Sequence, residues 1–329
     1  MQTDQASYFD HKRLIITGAS GYLATNLINQ LTDIDCTIIR VSRKKQLTAT
    51  QGKARIEDVC GDLTHKETWE RVLRDIDIVY HLAAQTSVAV AESNPLVDWQ
   101  ANVAPMLHAL ETCKEKHESP AVIFSGTVTE VGIPKYWPVD ESHEDIPVTI
   151  YDLHKLMAEH YLKYYARHDI VKGTCLRLSN VYGPGPDSSS PDRAVINGMI
   201  RRALAGKSLT VYGAGACLRD YVHVNDAVAA FLLAPAYIER LNGKHFVIGS
   251  GEGHTIAQAF TLVAERVALR TRNRVTVEHI APPVTQSPID TRNFVADTRQ
   301  FASITGWQAR HSLADGIDDT LEALQHVCD

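Results

Sequence analysis

Tyr151 and Lys155 stand four residues apart in the stretch Thr149-Ile150-Tyr151-Asp152-Leu153-His154-Lys155-Leu156-Met157-Ala158-Glu159. The apolar spacing of Leu153, Leu156, Met157 and Tyr161 predicts a helix, which sets the phenol and the ammonium one above the other on a single face. An ammonium beside a phenol favours the phenolate and lowers a pKa that is about 10 in the free side chain. Such a tyrosine can take a proton from a hydroxyl, or give one to a carbonyl, near neutral pH. The pair alone is weak evidence. Tyr8 and Lys12 repeat the spacing near the N-terminus without matching context, and a surface helix contact accounts for either.

The elements that would position the pair begin with Arg13-Leu14-Ile15-Ile16-Thr17, a short buried strand that runs into Gly18-Ala19-Ser20-Gly21-Tyr22-Leu23-Ala24. Leu27, Ile28 and Leu31 then continue at helical spacing. Strand, glycine-rich turn and helix in that order make a phosphate cradle: glycine lets the backbone approach a pyrophosphate, and the helix N-terminus offers N–H groups and positive dipole. The spacing is Gly-x-x-Gly-x-x-Ala, and alanine is small enough for close helix–strand packing.

A second strand, Thr37-Ile38-Ile39-Arg40-Val41, ends at Ser42-Arg43-Lys44-Lys45. NAD sites place an acid here for the ribose 2′-hydroxyl. Ser42 and the cations after it would instead accommodate a 2′-phosphate, so the pattern admits NAD or NADP and leans to NADP; a solvated basic turn is the plain alternative. Strands over Arg55–Cys60, Ile76–Ala84, Ala121–Ser125 and Gly173–Leu178 alternate with helices over Lys66–Arg74, around Asn102, Leu107 and Leu110, and after Thr149. This is an α/β pattern with a doubly wound, Rossmann-type parallel sheet, whose ligands sit at the carboxyl ends of the strands near Gly18, Asp62, Ala84 and Thr127.

Beyond Ser179 the alternation becomes irregular, with a loop over Asp187–Pro191, a helix through Ile196 to Ala205, and then short strands and helices in mixed order over Leu209–Tyr212, Arg219–Val222, Asp226–Leu233, His245–Ile248, Ile256–Val267, Asp297–Ile304 and Leu313–Leu324. Residues 1–178 read as mainly the dinucleotide-binding domain. Residues 179–329 read as mainly a smaller α/β substrate-binding portion, parts of it returning to the sheet.

The chain has 329 residues, 44% hydrophobic and 22% charged, which suits a soluble globular protein with an ample core. A net charge of −6 gives no basic footprint, so no nucleic-acid partner is expected. No apolar run reaches the roughly 18 residues of a membrane span, and the polar start is no signal peptide; a cytoplasmic protein is expected. The cysteines are scattered, with no Cys-x-x-Cys and no compact Cys/His cluster, so reduced, mostly buried thiols and no metal are expected.

Several motifs then agree, and the chain resembles the extended short-chain dehydrogenase/reductase superfamily, more narrowly the nucleotide-sugar epimerases and dehydratases such as UDP-glucose 4-epimerase. The likeness runs from Arg13 to the C-terminal helix. It rests on the Thr17–Ala24 turn, Gly61-Asp62-Leu63, His81-Leu82-Ala83-Ala84, Phe124-Ser125-Gly126-Thr127, Tyr151/Lys155, Arg177-Leu178-Ser179-Asn180-Val181-Tyr182-Gly183-Pro184 and Arg219-Asp220-Tyr221-Val222-His223-Val224.

By that resemblance Gly18, Ser20, Gly21, Tyr22, Leu23 and Ala24 belong to the cofactor's pyrophosphate cradle, with Ser42 and Arg43 near the adenosine ribose. Asp62 and Leu63 flank the adenine, and Leu82, Ala83, Ala84 and Asn102 line the cleft. Tyr151 is the acid/base, Lys155 holds the nicotinamide ribose and tunes it, and Thr127 hydrogen-bonds the substrate oxygen. Asn180, Arg219 and, more weakly, Arg292 contact the diphosphate of a nucleotide sugar. A buried structural role stays open for Thr127, as does an ion pair with Asp220 or Asp226 for Arg219.

The chain also departs from the family pattern. Ser287 stands where an arginine commonly precedes Pro-x-Asp, and Val131 where a tyrosine is usual. Thr127 is followed by Val128 and Thr129, with Glu130 one place later than the acid pair of the 4,6-dehydratases. The resemblance therefore implies an epimerase, working at sugar C4 through a 4-keto species. The alternatives are an NADPH-dependent reductase of a 4-keto-deoxysugar nucleotide and a non-catalytic NAD(P)-binding sensor. A homodimer through helices near 95–116 and 150–168 is likewise implied.

Overall fold

Leu14, Ile15 and Ile16 alternate between the two faces of strand β1 (Arg13–Thr17), and each face meets a different apolar layer. A computed structural model describes residues 6–44, 47, 49–186, 195–271, 274–282 and 287–325. The first half runs through α1 (Tyr22–Leu31), β2 (Thr37–Ser42), β3 (Arg55–Cys60), α2 (Lys66–Val72), β4 (Ile78–His81), α3 (Val88–Ser93), α4 (Pro95–Asn102), α5 (Ala104–Lys116), β5 (Ala121–Thr127), α6 (Ile150–Arg167) and β6 (Lys172–Leu178). Leu14 and Ile16 pack with Leu27, Leu31 and Phe231 on one face. Ile15 packs with Trp69, Met106, Leu110 and Leu162 on the other. Side chains covered on both faces explain the nearly continuous apolar runs of the strands.

The second half continues with β7 (Asn180–Tyr182), α7 (Val195–Leu204), β8 (Leu209–Tyr212), β9 (Leu218–His223), α8 (Val224–Leu233), α9 (Ile238–Leu241), β10 (Lys244–Ile248), β11 (Gly253–Thr255), α10 (Ile256–Thr271), β12 (Val277–Ile280), α11 (Arg299–Thr305) and α12 (Leu313–Gln325). The main sheet is seven-stranded and parallel, in the order β10-β6-β5-β4-β1-β2-β3. The order in which strands are added reverses between β1 and β4, the crevice where such sheets bind ligands. Strand β10 comes from the second half and pairs with β6 from Lys244↔Thr174 to Ile248↔Leu178. The remainder builds a smaller unit: β11-β9-β7, the pair β12-β8, and α7, α10 and α12 around Ile200, Val211, Phe260, Val263 and Ile317.

Local chemistry moves several boundaries. The strand expected over Ile76–Ala84 stops at His81, because the N–H groups of Leu82 and Ala83 turn to the Thr17 hydroxyl. The helix expected through Asn102 and Leu110 is two helices, α4 and α5, broken beside Pro105, which has no N–H to continue the ladder. Helix α6 buries only part of the apolar stripe expected of it: Leu156 is buried and Met157 and Tyr161 are half-buried, but Leu153 is 40% exposed, while the polar Asp152, Lys155 and Glu159 are buried. Strands β7, β11 and β12 are too short to show a period in the sequence. Cys36, Cys113 and Cys175 are buried free thiols, but Cys60 lies exposed on the edge strand β3. The expected loop at Asp187–Pro191 lies outside the described residues. No helix among the described residues is long and apolar enough to cross a membrane.

Candidate active site

At the carboxyl end of β1 the turn is fixed by Thr17. Its buried Oγ1 accepts from Leu82 N at 2.9 Å and Ala83 N at 3.0 Å, tying the turn to the end of β4. Gly18 sits at φ +64°, and a Cβ there would come within 2.9 Å of the Ala83 Cα. Only glycine fits so close to a neighbouring backbone. Gly21 caps α1, and no side chain among the described residues bonds to that cap, so the first-turn N–H groups face the turn's concavity. These features fit a dinucleotide pyrophosphate.

The other expected cofactor residues fall round this turn. Ser20 and Ser42 bring their hydroxyls to 3.4 Å, and Ser42 Oγ also accepts from Lys44 N at 3.1 Å. The Arg40 guanidinium is held by Asp58 at 2.6 and 2.7 Å, which leaves Arg43 as the arginine at this end of β2. Asp62 accepts from Thr64 N at 2.9 Å; that bond, aided by Arg43, holds its carboxyl below the usual range. Leu63 is buried with its carbonyl on Trp69 Nε1. Leu23 and Leu82 pack into the core and shape the cleft from behind. Tyr22 reaches across to donate to the Gly183 carbonyl at 2.8 Å. Ala83 and Ala84 follow β4 beside Gly18, half-buried. Asn102 is turned to the same loop: its Oδ1 accepts from Gln85 N at 3.1 Å and its Nδ2 donates to Gln85 O at 3.0 Å. It holds that loop's shape through the peptide of Gln85.

The three residues expected to be catalytic come from two elements at the sheet's carboxyl edge. Thr127 ends β5, while Tyr151 and Lys155 occupy the first and second turns of α6. Thr149 caps α6 by accepting from Asp152 N at 3.2 Å, which starts the helix at the residue before Tyr151. All three side chains are buried against β5, at 7%, 5% and 3% exposure. Lys155 Nζ donates to the Ser125 carbonyl at 2.5 Å and lies 4.0 Å from the Phe124 ring centroid. The buried His81 stacks on that ring; burial, reinforced by Lys155, lowers its pKa to about 3, so it stays neutral.

Sequence reasoning missed the groups that orient Thr127. Its Oγ1 lies 2.9 Å from Thr129 Oγ1, and Thr129 in turn donates to Asp152 Oδ1. With the Thr129 proton directed to Asp152, the Thr127 proton points to Thr129, and Thr127 also accepts from Thr129 N at 3.3 Å. Glu130 completes a capping box by accepting from Thr127 N at 2.9 Å. It is fully buried beside Arg177, whose guanidinium also binds Glu159 at 2.7 and 2.8 Å and Asp145 at 2.5 and 2.8 Å. Burial, then the neighbouring Glu159, raises the Glu130 pKa well above the usual range. Burial opposes ionisation of Glu159 too, but Arg177, His245 and Lys163 outweigh it and hold Glu159 ionised. Nothing local in the sequence signals this cluster.

The residues expected to contact substrate, Asn180, Arg219 and Arg292, gather around β9. Asn180 Nδ2 donates to the Asp220 carbonyl at 2.9 Å. Arg219 is directed to main-chain carbonyls: Leu218 at 2.9 Å, Asp290 at 2.6 Å, and Arg292. Arg292 donates to Ile289 at 2.8 Å. Both guanidiniums therefore brace the 288–292 turn, and neither ion pair foreseen for Arg219 forms among the described residues. Asp220 instead accepts from the N–H groups of Ser250, Gly251 and Ala296. Asp226 pairs with His311.

The family model described as the NAD dependent epimerase/dehydratase family matches residues 14–249. The chain belongs to that family. Among its relatives is a UDP-glucose 4-epimerase of Azospirillum brasilense, 27% identical, with 93% of this chain and 89% of the relative aligned. Among solved structures, a UDP-glucose 4-epimerase of Thermotoga maritima with UDP-glucose superimposes with a TM-score of 0.84 at 28% identity, covering 96% of this chain and 100% of the other. A Thermus thermophilus UDP-glucose 4-epimerase with NAD gives a TM-score of 0.79 at 26% identity, covering 95% and 99%.

Proposed function

We propose that the protein is a nucleotide-sugar epimerase acting at sugar C4 through a transient 4-keto sugar. The observation that carries this reading is the convergence of Thr127, Tyr151 and Lys155 at one edge of the sheet, beside a turn shaped for a dinucleotide. The UDP-glucose 4-epimerases among its relatives support the same reading. In this assignment the turn at Gly18–Gly21 and the loop at Leu82–Ala84 hold NAD or NADP, and the bound nicotinamide supplies hydride exchange with the sugar carbon. Tyr151 takes the C4 hydroxyl proton and later returns it. Lys155 favours the phenolate. Thr127 positions the sugar oxygen, its own hydroxyl set by Thr129 and Asp152. Dehydration at C6 is disfavoured, because Glu130 is buried on Arg177 and turned away from the cleft.

A second reading, an NADPH-dependent reductase of a 4-keto-deoxysugar nucleotide, is favoured by Ser42 at the end of β2 with Arg43 beside it. The discriminating experiment is to purify the protein without added cofactor, denature it and identify the released dinucleotide by mass spectrometry. Stoichiometric retained NAD supports the epimerase. An empty protein that prefers NADPH to NADH overturns it in favour of the reductase. We also propose a homodimer through α4–α6, where Leu96, Val97, Leu153 and Tyr164 are exposed; a monomeric mass by light scattering at micromolar concentration would refute it.

A further inference from the structure

His223, His311 and Asp319 are far apart in the sequence, yet the fold brings one potential ligand atom from each to within 4.8 Å of the others. His223 ends β9 and is fully buried. Neither of its ring nitrogens has a hydrogen-bond partner among the described residues. A buried imidazole with two unanswered polar atoms is uncommon and demands a partner. Its ring lies 4.2 Å from that of His311, centroid to centroid, with 33° between the planes.

His311 is oriented from behind. Asp226 accepts from the His311 ring at Nδ1 (3.0 Å), from its backbone N–H (3.0 Å) and from Arg310 N (3.0 Å). A carboxylate on Nδ1–H places the free lone pair on Nε2, the tautomer that carboxylates impose on metal-binding histidines. That Nε2 faces Asp319 Oδ2 at 3.8 Å. Ligands about 2.0–2.2 Å from a zinc ion lie roughly 3.4 Å from one another, so only small side-chain shifts would close the set. Asp319 is exposed on α12 and able to make them. Asp315 adds a further negative charge nearby.

We propose that His223, His311 and Asp319 form a binding site for a divalent transition-metal ion of zinc's class, with Asp226 as the orienting carboxylate. Two imidazoles and one carboxylate suit such an ion and leave a fourth position for water. The other acidic and histidine group, Asp145, Glu159 and His160, is a poor candidate because Arg177 and Lys163 already neutralise its carboxylates. The proposed site joins the end of β9 to α12, so a bound ion would cross-link the two elements. It ties the C-terminal helix to the strand that carries Arg219 and Asp220.

The test uses untagged full-length protein, stripped with a chelator, dialysed, and titrated with cobalt(II) and with zinc(II). One cobalt per chain with low-coordinate d–d absorption is expected, displaced by zinc. Zinc at 100-fold its Kd should raise the Tm by about 3–8 °C. His311→Ala and Asp319→Asn should each weaken binding at least tenfold; metal-free Asp319→Asn should keep the wild-type Tm, whereas metal-free His311→Ala also loses its bond to Asp226 and should melt lower. Absence of stoichiometric binding would overturn the proposal. So would titrations of both variants that superimpose on wild type, or a thiolate-to-cobalt charge-transfer band, which would move the metal to a cysteine.

Discussion

Glu130 and Asp220 are both fully buried carboxylates that flank the cleft, and the fold satisfies them in opposite ways. Glu130 is embedded among charges: Arg177 binds it, Glu159 and Asp145, and its proton is retained because burial, and then the negative charge on Glu159, oppose its ionisation. Asp220 has no cation on its carboxylate among the described residues; backbone N–H groups of Ser250, Gly251 and Ala296 and the hydroxyls of Ser179 and Ser250 surround it. The first arrangement joins side chains of β6, α6, the short turn that follows β5 and the loop before α6. The second gathers loops around Asn180 and Arg219. Removing an acceptor that many N–H groups share orphans all of them, whereas a neutral member of a charge cluster can be replaced by its amide.

The largest expected effect checks that chemistry resides in neither carboxylate. Tyr151→Phe should lower kcat by about 10²–10⁴-fold while leaving the urea midpoint unchanged. Residual wild-type turnover would transfer the proton role elsewhere, Glu130 included, and the contrast would collapse. Next, Asp220→Ala should destabilise the protein by about 2–4 kcal/mol in urea unfolding, because three N–H groups, that of Ala296 buried and those of Ser250 and Gly251 part-buried, lose their acceptor. Glu130→Gln should change stability by no more than about 1 kcal/mol at pH 4, where Glu130 is mostly protonated in both states, the amide oxygen still serving Thr127 N.

The same variant reads out the Glu130 proton. Its folded pKa is raised above 4.5, so the native state keeps a proton that the unfolded chain has lost. That contribution to stability is complete below the unfolded value and falls as pH rises toward the folded one. Glu130→Gln should therefore gain stability relative to wild type between pH 4 and pH 7, measured by urea midpoints along the series. A relative loss over that interval would show that Glu130 is ionised. The smallest effect is expected from Thr129→Val, which frees the Thr127 proton from its present partner and should lower kcat about three- to tenfold.

What was legible in the sequence was contiguous. Arg13–Thr17 running into Gly18 and Gly21 reads as strand, turn and helix because each step is local, and the structure places the turn beside β4 as the α/β pattern requires. Tyr151 and Lys155 were legible for the same reason. The inward face of α6 was not: Leu153 points out because Asp152 and Glu159 have buried partners in Thr129 and Arg177, which no periodicity reveals. Arg219 was read as a phosphate ligand from its place in a motif, yet its carbonyl partners at Asp290 and Arg292 lie far downstream. His223 and His311 illustrate the same limit, since only the tertiary fold stacks them.

The return of β10 to β6 bears on how the chain is made. During synthesis the outer edge of β6 has no partner until residues 244–248 emerge, long after β1–β5 can pair. Through that interval the nascent chain carries an open parallel edge of unpaired N–H and C=O groups, the kind that recruits other chains. Lys172 at the start of β6 and Lys244 at the start of β10 put charge at that margin. A nascent chain stalled before β10 emerges would thus display a sheet lacking its last strand, vulnerable to proteolysis and to chaperone capture, whereas one stalled after β10 has emerged would display it complete.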